Sequence, residues 1–305
     1  MRGKAVFAGF AALAAAAPAA AETLTVETYS PALSEAALGV QSIAVDRFAG
    51  REGARFSFMV ADALQQASIR GRPWFTVLVD TGAEVDAVLE GRVTPHISEH
   101  SFRRKREVCW TYDENGECTE ERKVELDCIR LQVNVRPDVR LVARDGTLLW
   151  TFASARDDQE EFCPDVDDYP DVSSMIDDVL PDLVQAIRRE LTPSGTMLPV
   201  RIMERRNGLS GDVRDRFRDA IRLTKSDEAT ACESFEHLHA ANSEQPSLMF
   251  NVGLCAERRG DHAQAQDRYC AALASDRSDD EASAGLRRID DTLVANAQIA
   301  FHFGE

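Results

Sequence analysis

An α+β protein in two parts is the expectation: an amino-terminal α/β sandwich with a mixed sheet, then an all-α part made of helical repeats. Three observations lead there. Short apolar runs bounded by turn residues recur between Val40 and Phe152. Helical spacing takes over at Val172, and beyond Asp212 the pattern is helical to the end.

The first segment sets the compartment. Arg2 and Lys4 precede the apolar stretch Ala5–Ala17, and Pro18 leads into Ala19-Ala20-Ala21. A short positive region, an apolar stretch and small residues at the −3 and −1 positions make a secretory leader, with cleavage expected after Ala21. The stretch is short and alanine-rich for a membrane anchor, and no long apolar run recurs, so no membrane insertion is expected after cleavage. The expected location is the periplasm or the cell exterior. With 35 Lys+Arg against 52 Asp+Glu, the chain carries a formal charge of −17. Nucleic acid is therefore an unfavourable main partner, because phosphate binding relies on Lys and Arg displacing counterions.

Within the first part, Ser42–Phe48 alternates as a strand, with Ile43 and Val45 on one face. A break at Ala49-Gly50-Arg51-Glu52-Gly53 follows. Val60, Ala63, Leu64 and Ala67 then recur at helical spacing. Phe75–Val79 and Ala87–Val93 read as further buried strands. Beyond a basic loop come Val124–Val135, Val139–Ala143 and Thr147–Phe152, the last two joined by an Asp145-Gly146 hairpin signal. An acidic loop, Asp157–Asp171, leads to a helix with Val172, Met175, Ile176 and Val179 on one face. Leu183, Ile187 and Leu191 continue that face past Pro181, which marks a kink or the start of a second helix. The expected domains are a leader at 1–21, an α/β domain at 22–204, a linker at 205–212 and helical repeats at 213–305.

Seven cysteines suit an oxidising compartment. Cys109 and Cys118 flank a strong Asn115-Gly116 turn signal, and Cys128 and Cys163 lie in the same half. All four are disulfide candidates. An odd total leaves at least one thiol unpaired or paired between chains. No C-x-x-C pair exists and the spacings are wide, so no metal or other cofactor is expected. His96 and His100 form no ligand set with the remaining histidines. Asp165, Asp167, Asp168 and Asp171 lack the glycine and terminal glutamate of a helix–loop–helix calcium site and read as surface charge. The run Arg103-Arg104-Lys105-Arg106 reads as a solvated loop balancing the acidic surface, with a grip on an acidic polymer as the functional alternative.

Two resemblances add to this reading. Ser247–Asp276 resembles a tetratricopeptide repeat: Asn251-Val252-Gly253, then Gly260-Asp261, Ala265, Tyr269, Ala272 and Leu273. Upstream, Ala231 stands 34 residues before Ala265, the period of that family. The resemblance implies small residues where helices cross and a capping helix over Glu281–Ala297. It also implies a packed position for Cys232 and Cys255, making them a candidate staple, with Cys270 spare. Its groove positions fall on Phe250, Leu254, Glu257 and Arg258, the implied binding residues for an apolar side chain and a carboxylate of a partner peptide. The order Ile43–Phe48, helix, Phe75–Leu78 and Val85–Val93 resembles a group of bacterial envelope domains. That group includes the periplasmic domain of the curli secretion channel, penicillin-binding-protein activators and the amino-terminal domain of the Tol-system propeller protein. The group implies a sandwich used for protein contacts, with no catalytic residues. Its members usually place a further helix between the second and third strands, for which Asp80–Glu84 is too short.

Val77–Glu84, with Asp80-Thr81-Gly82-Ala83, also looks like the active-site loop of retroviral-type aspartic proteases, in which Asp80 would share a proton with its twin across a dimer. Asp86 stands where that family has an apolar side chain, and helical spacing precedes the loop where that fold has strands. The preferred reading is a tight turn between buried strands. The function expected is that of an exported, non-catalytic scaffold binding other envelope proteins or peptides, with a periplasmic aspartic protease as the alternative.

Overall fold

Helices and sheets share the chain in an α+β arrangement. The computed structural model describes residues 22–78, 84–275 and 280–305. In chain order the elements begin with β1 (Thr23–Ser30), β2 (Ser42–Val45), α1 (Gly53–Gln65), the two-residue pair β3 (Ser68–Ile69) and β4 (Arg72–Pro73), and β5 (Thr76–Leu78). There follow β6 (Ala87–Arg92), β7 (Pro95–Tyr112), β8 (Cys118–Val135), β9 (Asp138–Ala143), β10 (Leu148–Phe152), β11 (Arg156–Phe162) and α2 (Val172–Leu191). The remainder is β12 (Ser194–Arg201), α3 (Gly211–Leu223), α4 (Glu228–Ala241), α5 (Pro246–Arg258), α6 (His262–Ser275) and α7 (Asp280–Phe303).

Two compact units form: residues up to Glu27 with Met197–Leu286, and Thr28–Thr196 with Arg287–Glu305. The division falls inside β1, β12 and α7 and departs from boundaries at 204 and 213. The expected capping helix over Glu281–Ala297 is part of the longer α7, whose residues from Arg287 onward belong with the α/β unit.

In the α/β unit a five-stranded sheet has the order β10-β9-β6-β2-β5. β2 runs parallel to β5 and β6, while β6, β9 and β10 are antiparallel. Parallel neighbours require a crossover, and α1 supplies it between β2 and β5. Its buried Phe56, Val60, Ala63 and Leu64 follow the helical repeat. Gly53 starts it because a Cβ there would lie 2.2 Å from the Phe48 carbonyl oxygen. α2 is capped by the Asp171 carboxylate, which accepts the Ser173 N–H. It runs unbroken through Pro181, with Met175, Ile176, Val179, Leu180, Leu183, Val184, Ile187 and Leu191 all buried. Burial of both flanking turns offsets the backbone hydrogen bond that proline removes. α1 and α2 pack on each other, α1 on β2, β5 and β6, and α2 on β8 and β11.

α7 contributes Ala295 and Ile299 to this core. Thr292 bonds Thr28 and Tyr29, and Gln298 clasps both backbone groups of Ala32. The buried His302 ring stacks on Trp74 with centroids 3.8 Å apart. Its Nδ1 lies 2.9 Å from the Leu38 carbonyl oxygen and its Nε2 2.7 Å from that of Trp74, so either tautomer has an acceptor.

A second, three-stranded sheet has the order β11-β8-β7. It corrects two expectations. Arg103–Arg106 is a strand, not a loop, and the first part of the acidic segment after Asp157 is β11. Both strands flank β8, and ion pairs such as Arg103–Asp127, Arg104–Glu161 and Arg130–Glu161 mark them rather than apolar alternation.

The helical unit packs α3 on α4, α4 on α5 and α5 on α6. Phe217 meets Phe235, and Phe250 meets Tyr269. Cys232–Cys255 joins α4 to α5. Gly253 and Gly285 give Tyr269 its space, since a Cβ on either would lie 3.0 Å and 2.5 Å from ring atoms.

Candidate interaction surfaces

The four groove residues do not make a groove. Phe250 and Leu254 have no exposed surface and Glu257 keeps 4%, because α5 is buried on nearly every face. Glu257 accepts the Tyr269 hydroxyl at 2.5 Å. Arg258 alone reaches solvent, its side chain 34% exposed, and its Nε donates to Glu228 at 2.7 Å. The other Glu228 oxygen accepts the Thr25 N–H and hydroxyl. Arg258 therefore fastens the start of β1 to α4 and α5.

Asp80 and its Asp-Thr-Gly-Ala loop lie outside the described residues, as does the leader 1–21. Asp86, just beyond the loop, accepts hydrogen bonds from the Ser42 hydroxyl and from the Ser42 and Gln41 N–H groups at 2.9–3.0 Å. The Ser42 hydroxyl first, then those N–H groups and Arg144, hold its carboxyl below the ordinary range. α1 occupies the segment where the retroviral-type protease fold has strands. Among the described residues no three His, Cys, Asp or Glu are placed to hold a metal ion. His96 and His100 lie on β7, opposite Asn134 and Arg130. Asp171 is the α2 cap, and Asp167 accepts the Cys163 N–H and an Arg106 N–H.

The β7–β8 ribbon is long and largely exposed. Each strand has 18 residues, roughly 60 Å at the antiparallel rise. β11 covers β8 only from Ile129 to Val135, so the part from Arg103 to Asp127 is two-stranded. One face is a charge ladder: Arg103 bonds Asp127 at 3.1 Å, Lys105 stands opposite Glu125, and Lys123 meets Glu107 at 3.2 Å. The opposite face starts apolar, with Leu126, Cys128 and Cys163 buried under Phe102, Val108 and Val124. Cys128–Cys163 ties the base of the ribbon to the segment after β11. Arg104 and Arg130 converge on Glu161, whose carboxyl they hold below the ordinary range, Arg130 most strongly. The run Arg103–Arg106 thus spends three of its four cations on the protein's own carboxylates, which leaves little for an acidic polymer.

At the far end Cys109–Cys118 closes the hairpin with Cα atoms 5.7 Å apart. Asp113 accepts the Asn115 and Glu117 N–H groups at 2.8 and 2.9 Å, and Gly116 adopts φ +81° to complete the turn. Just before the turn the register slips: Cys109 faces Glu121 and Thr111 faces Glu120, so Trp110 has no partner on β8. A bulge of this kind re-aims its side chain. Trp110 is 56% and Tyr112 62% exposed. Arg122 lies over the Trp110 ring, 4.6 Å from its centroid. The sequence marks this hairpin by Asn115-Gly116 and its flanking cysteines but hides its length, because β7 carries a charge ladder on one face and sets Arg104 and Arg106 between the apolar Phe102 and Val108 on the other.

The three disulfides are compatible with an exported protein, and no helix among the described residues is long and apolar enough to cross a membrane. Cys270 is a free, exposed thiol. No protein-family model matches the chain, and no curated protein matches it. Among solved structures, one match is a PDZ domain protein from Parabacteroides distasonis, 12% identical over 57% of this chain and 39% of that one, with a TM-score of 0.19. A likeness that low carries no argument about fold or role.

Proposed function

We propose that this is an exported, non-catalytic interaction protein of the bacterial cell envelope, and that its main contact surface is the disulfide-closed end of the β7–β8 ribbon. The observation that carries the reading is the pair of exposed aromatic side chains, Trp110 and Tyr112, at the tip of a braced two-stranded arm. Large aromatic surfaces are costly to leave in water, and they anchor protein interfaces. The helical unit is read as tetratricopeptide-like, supported by the small residues Gly253, Ala265 and Gly285 around Tyr269. The β2-α1-β5 crossover supports the likeness of the α/β unit to envelope domains built for protein contacts.

The test is site-specific photocross-linking in cells. A photoreactive residue at Tyr112 is expected to form discrete adducts that the same residue at Gln65, a polar position on exposed α1 surface, does not. Equal adducts at both sites, or none at Tyr112, would overturn the ribbon as contact surface. Peptide hydrolysis that disappears in Asp80→Asn would replace the scaffold reading with the protease one.

A further inference from the structure

We infer that the ribbon tip receives a Lys- or Arg-rich segment of a partner, held by the Trp110 and Tyr112 rings and by the carboxylates of Glu114, Glu117 and Glu121. The inference rests on the ribbon being the contact surface and names what it contacts. Charge complementarity argues for this occupant. Between Glu107 and Lys123 there are six carboxylates against Arg122 and Lys123. Glu107 and Glu120 are matched by Lys123 and Arg122, and Asp113 is committed to the turn. Among the described residues the side chains of Glu114, Glu117 and Glu121 carry no ion pair or hydrogen bond, and all three are exposed.

The tip already holds one cation in the way proposed. The Arg122 guanidinium sits over the Trp110 ring, and more than half of Trp110 still faces solvent. Aromatic faces attract cations through their quadrupole. Carboxylates around the rings add direction and range, and the net −17 of the chain draws cationic partners from a distance. An anionic lipid surface or acidic polymer would meet like charge at this end. An apolar segment would cover the rings but leave the carboxylates without counter-charge. The bulge at Trp110 and the Cys109–Cys118 bond fix the backbone that carries the rings before a partner arrives, which limits the ordering cost of binding.

The experiment uses the oxidised chain without its leader and four defined probes. These are a twelve-residue Lys/Arg–Gly–Ser peptide, its Glu counterpart, a neutral Leu–Ser peptide, and phosphatidylglycerol vesicles. Binding is followed by calorimetry and by acrylamide quenching of tryptophan, which reports Trp110 because Trp74 and Trp150 are buried. The cationic peptide is expected to bind at least tenfold more tightly than any other probe, to shield Trp110, and to weaken at least fivefold between 50 and 300 mM salt. Trp110→Ala and the triple change Glu114→Gln, Glu117→Gln, Glu121→Gln are each expected to weaken it at least tenfold. Trp110→Phe should restore most of the loss, and the triple variant should lose the salt dependence. Equal binding of all peptides, tighter binding of the acidic or apolar peptide or the vesicles, or indifference to both variants would overturn the inference. Concentration-dependent dimerisation abolished by Trp110→Ala would assign the tip to a second copy instead. A partner cross-linked at Tyr112 through an acidic or apolar segment would end this inference while leaving the interaction reading intact.

Discussion

The Tyr269 hydroxyl donates to a Glu257 carboxylate oxygen at 2.5 Å inside the helical unit, with both residues buried. The contact ties α6 to α5 through a charge-assisted hydrogen bond, and it explains why Glu257 is a packing residue and not a ligand contact. Tyr269→Phe keeps the ring between Gly253 and Gly285 and removes the hydroxyl that makes this bond. The expected cost is about 2 kcal/mol, the range for a hydrogen bond to a charged group, read as a lower urea midpoint for the intact chain. An unchanged midpoint would mean that the carboxylate is satisfied equally well without the hydroxyl.

Gly285→Ala should be more disruptive than an ordinary helical Gly→Ala change, which usually gains stability. The added Cβ would stand 2.5 Å from the ring of Tyr269, so the ring or α7 must shift, at about 1–3 kcal/mol. Stabilisation by this substitution would show that the close approach is not maintained in solution.

Replacing Cys232 and Cys255 together by alanine should lower unfolding free energy by about 2–4 kcal/mol, as expected for a loop of this length. Calorimetry of the intact chain under oxidising conditions, compared with the variant, measures it. The loss should be larger than that from opening the shorter Cys109–Cys118 loop at the exposed tip.

The pH response of the helical unit follows from His239. Burial, and then the nearby Arg268 charge, push its imidazole below the ordinary value of 6.5. A depressed folded value means that the unfolded chain binds the proton first. The stability contribution is therefore complete above about pH 6.5 and is lost as pH falls toward the folded value. His239→Gln should flatten the change in unfolding free energy between pH 7 and pH 5. An unchanged pH profile in that variant would assign the response to other groups.

His302→Ala should loosen the end of α7. It removes the stack on Trp74 and leaves the Leu38 and Trp74 carbonyls without the ring between them, a loss of about 3 kcal/mol for a buried polar contact with its packing. Limited proteolysis is expected to cut first within 287–305 in the variant. Identical digestion patterns would show that Thr292 and Gln298 hold the helix alone.

Much of the architecture was legible because burial leaves a period in the sequence. α1 shows it in Phe56, Val60 and Leu64, and α2 from Met175 to Leu191. The turns at Asn115-Gly116 and Asp145-Gly146 are readable because few residues tolerate positive φ. β7 and β11 were not. Arg103, Lys105 and Glu107 alternate in charge partner, not in hydropathy, so no apolar stripe betrays the strand. Phe250 and Leu254 are ambiguous for the opposite reason: their spacing is compatible with either a groove or a core, and only packing against α4, α6 and Tyr269 selects between them.

Local chemistry along the chain was enough for the class, the helices with one buried face, the turns and the oxidising habit of the cysteines, since each depends on residues close in sequence. Which strand the basic run pairs with, whether an aromatic residue faces water or a neighbouring helix, and where the last helix belongs depend on contacts between segments up to 266 residues apart, as between Ala32 and Gln298. Such contacts form only when the chain folds, because burial by distant segments removes the water that competes for them, and no short stretch of sequence supplies that burial.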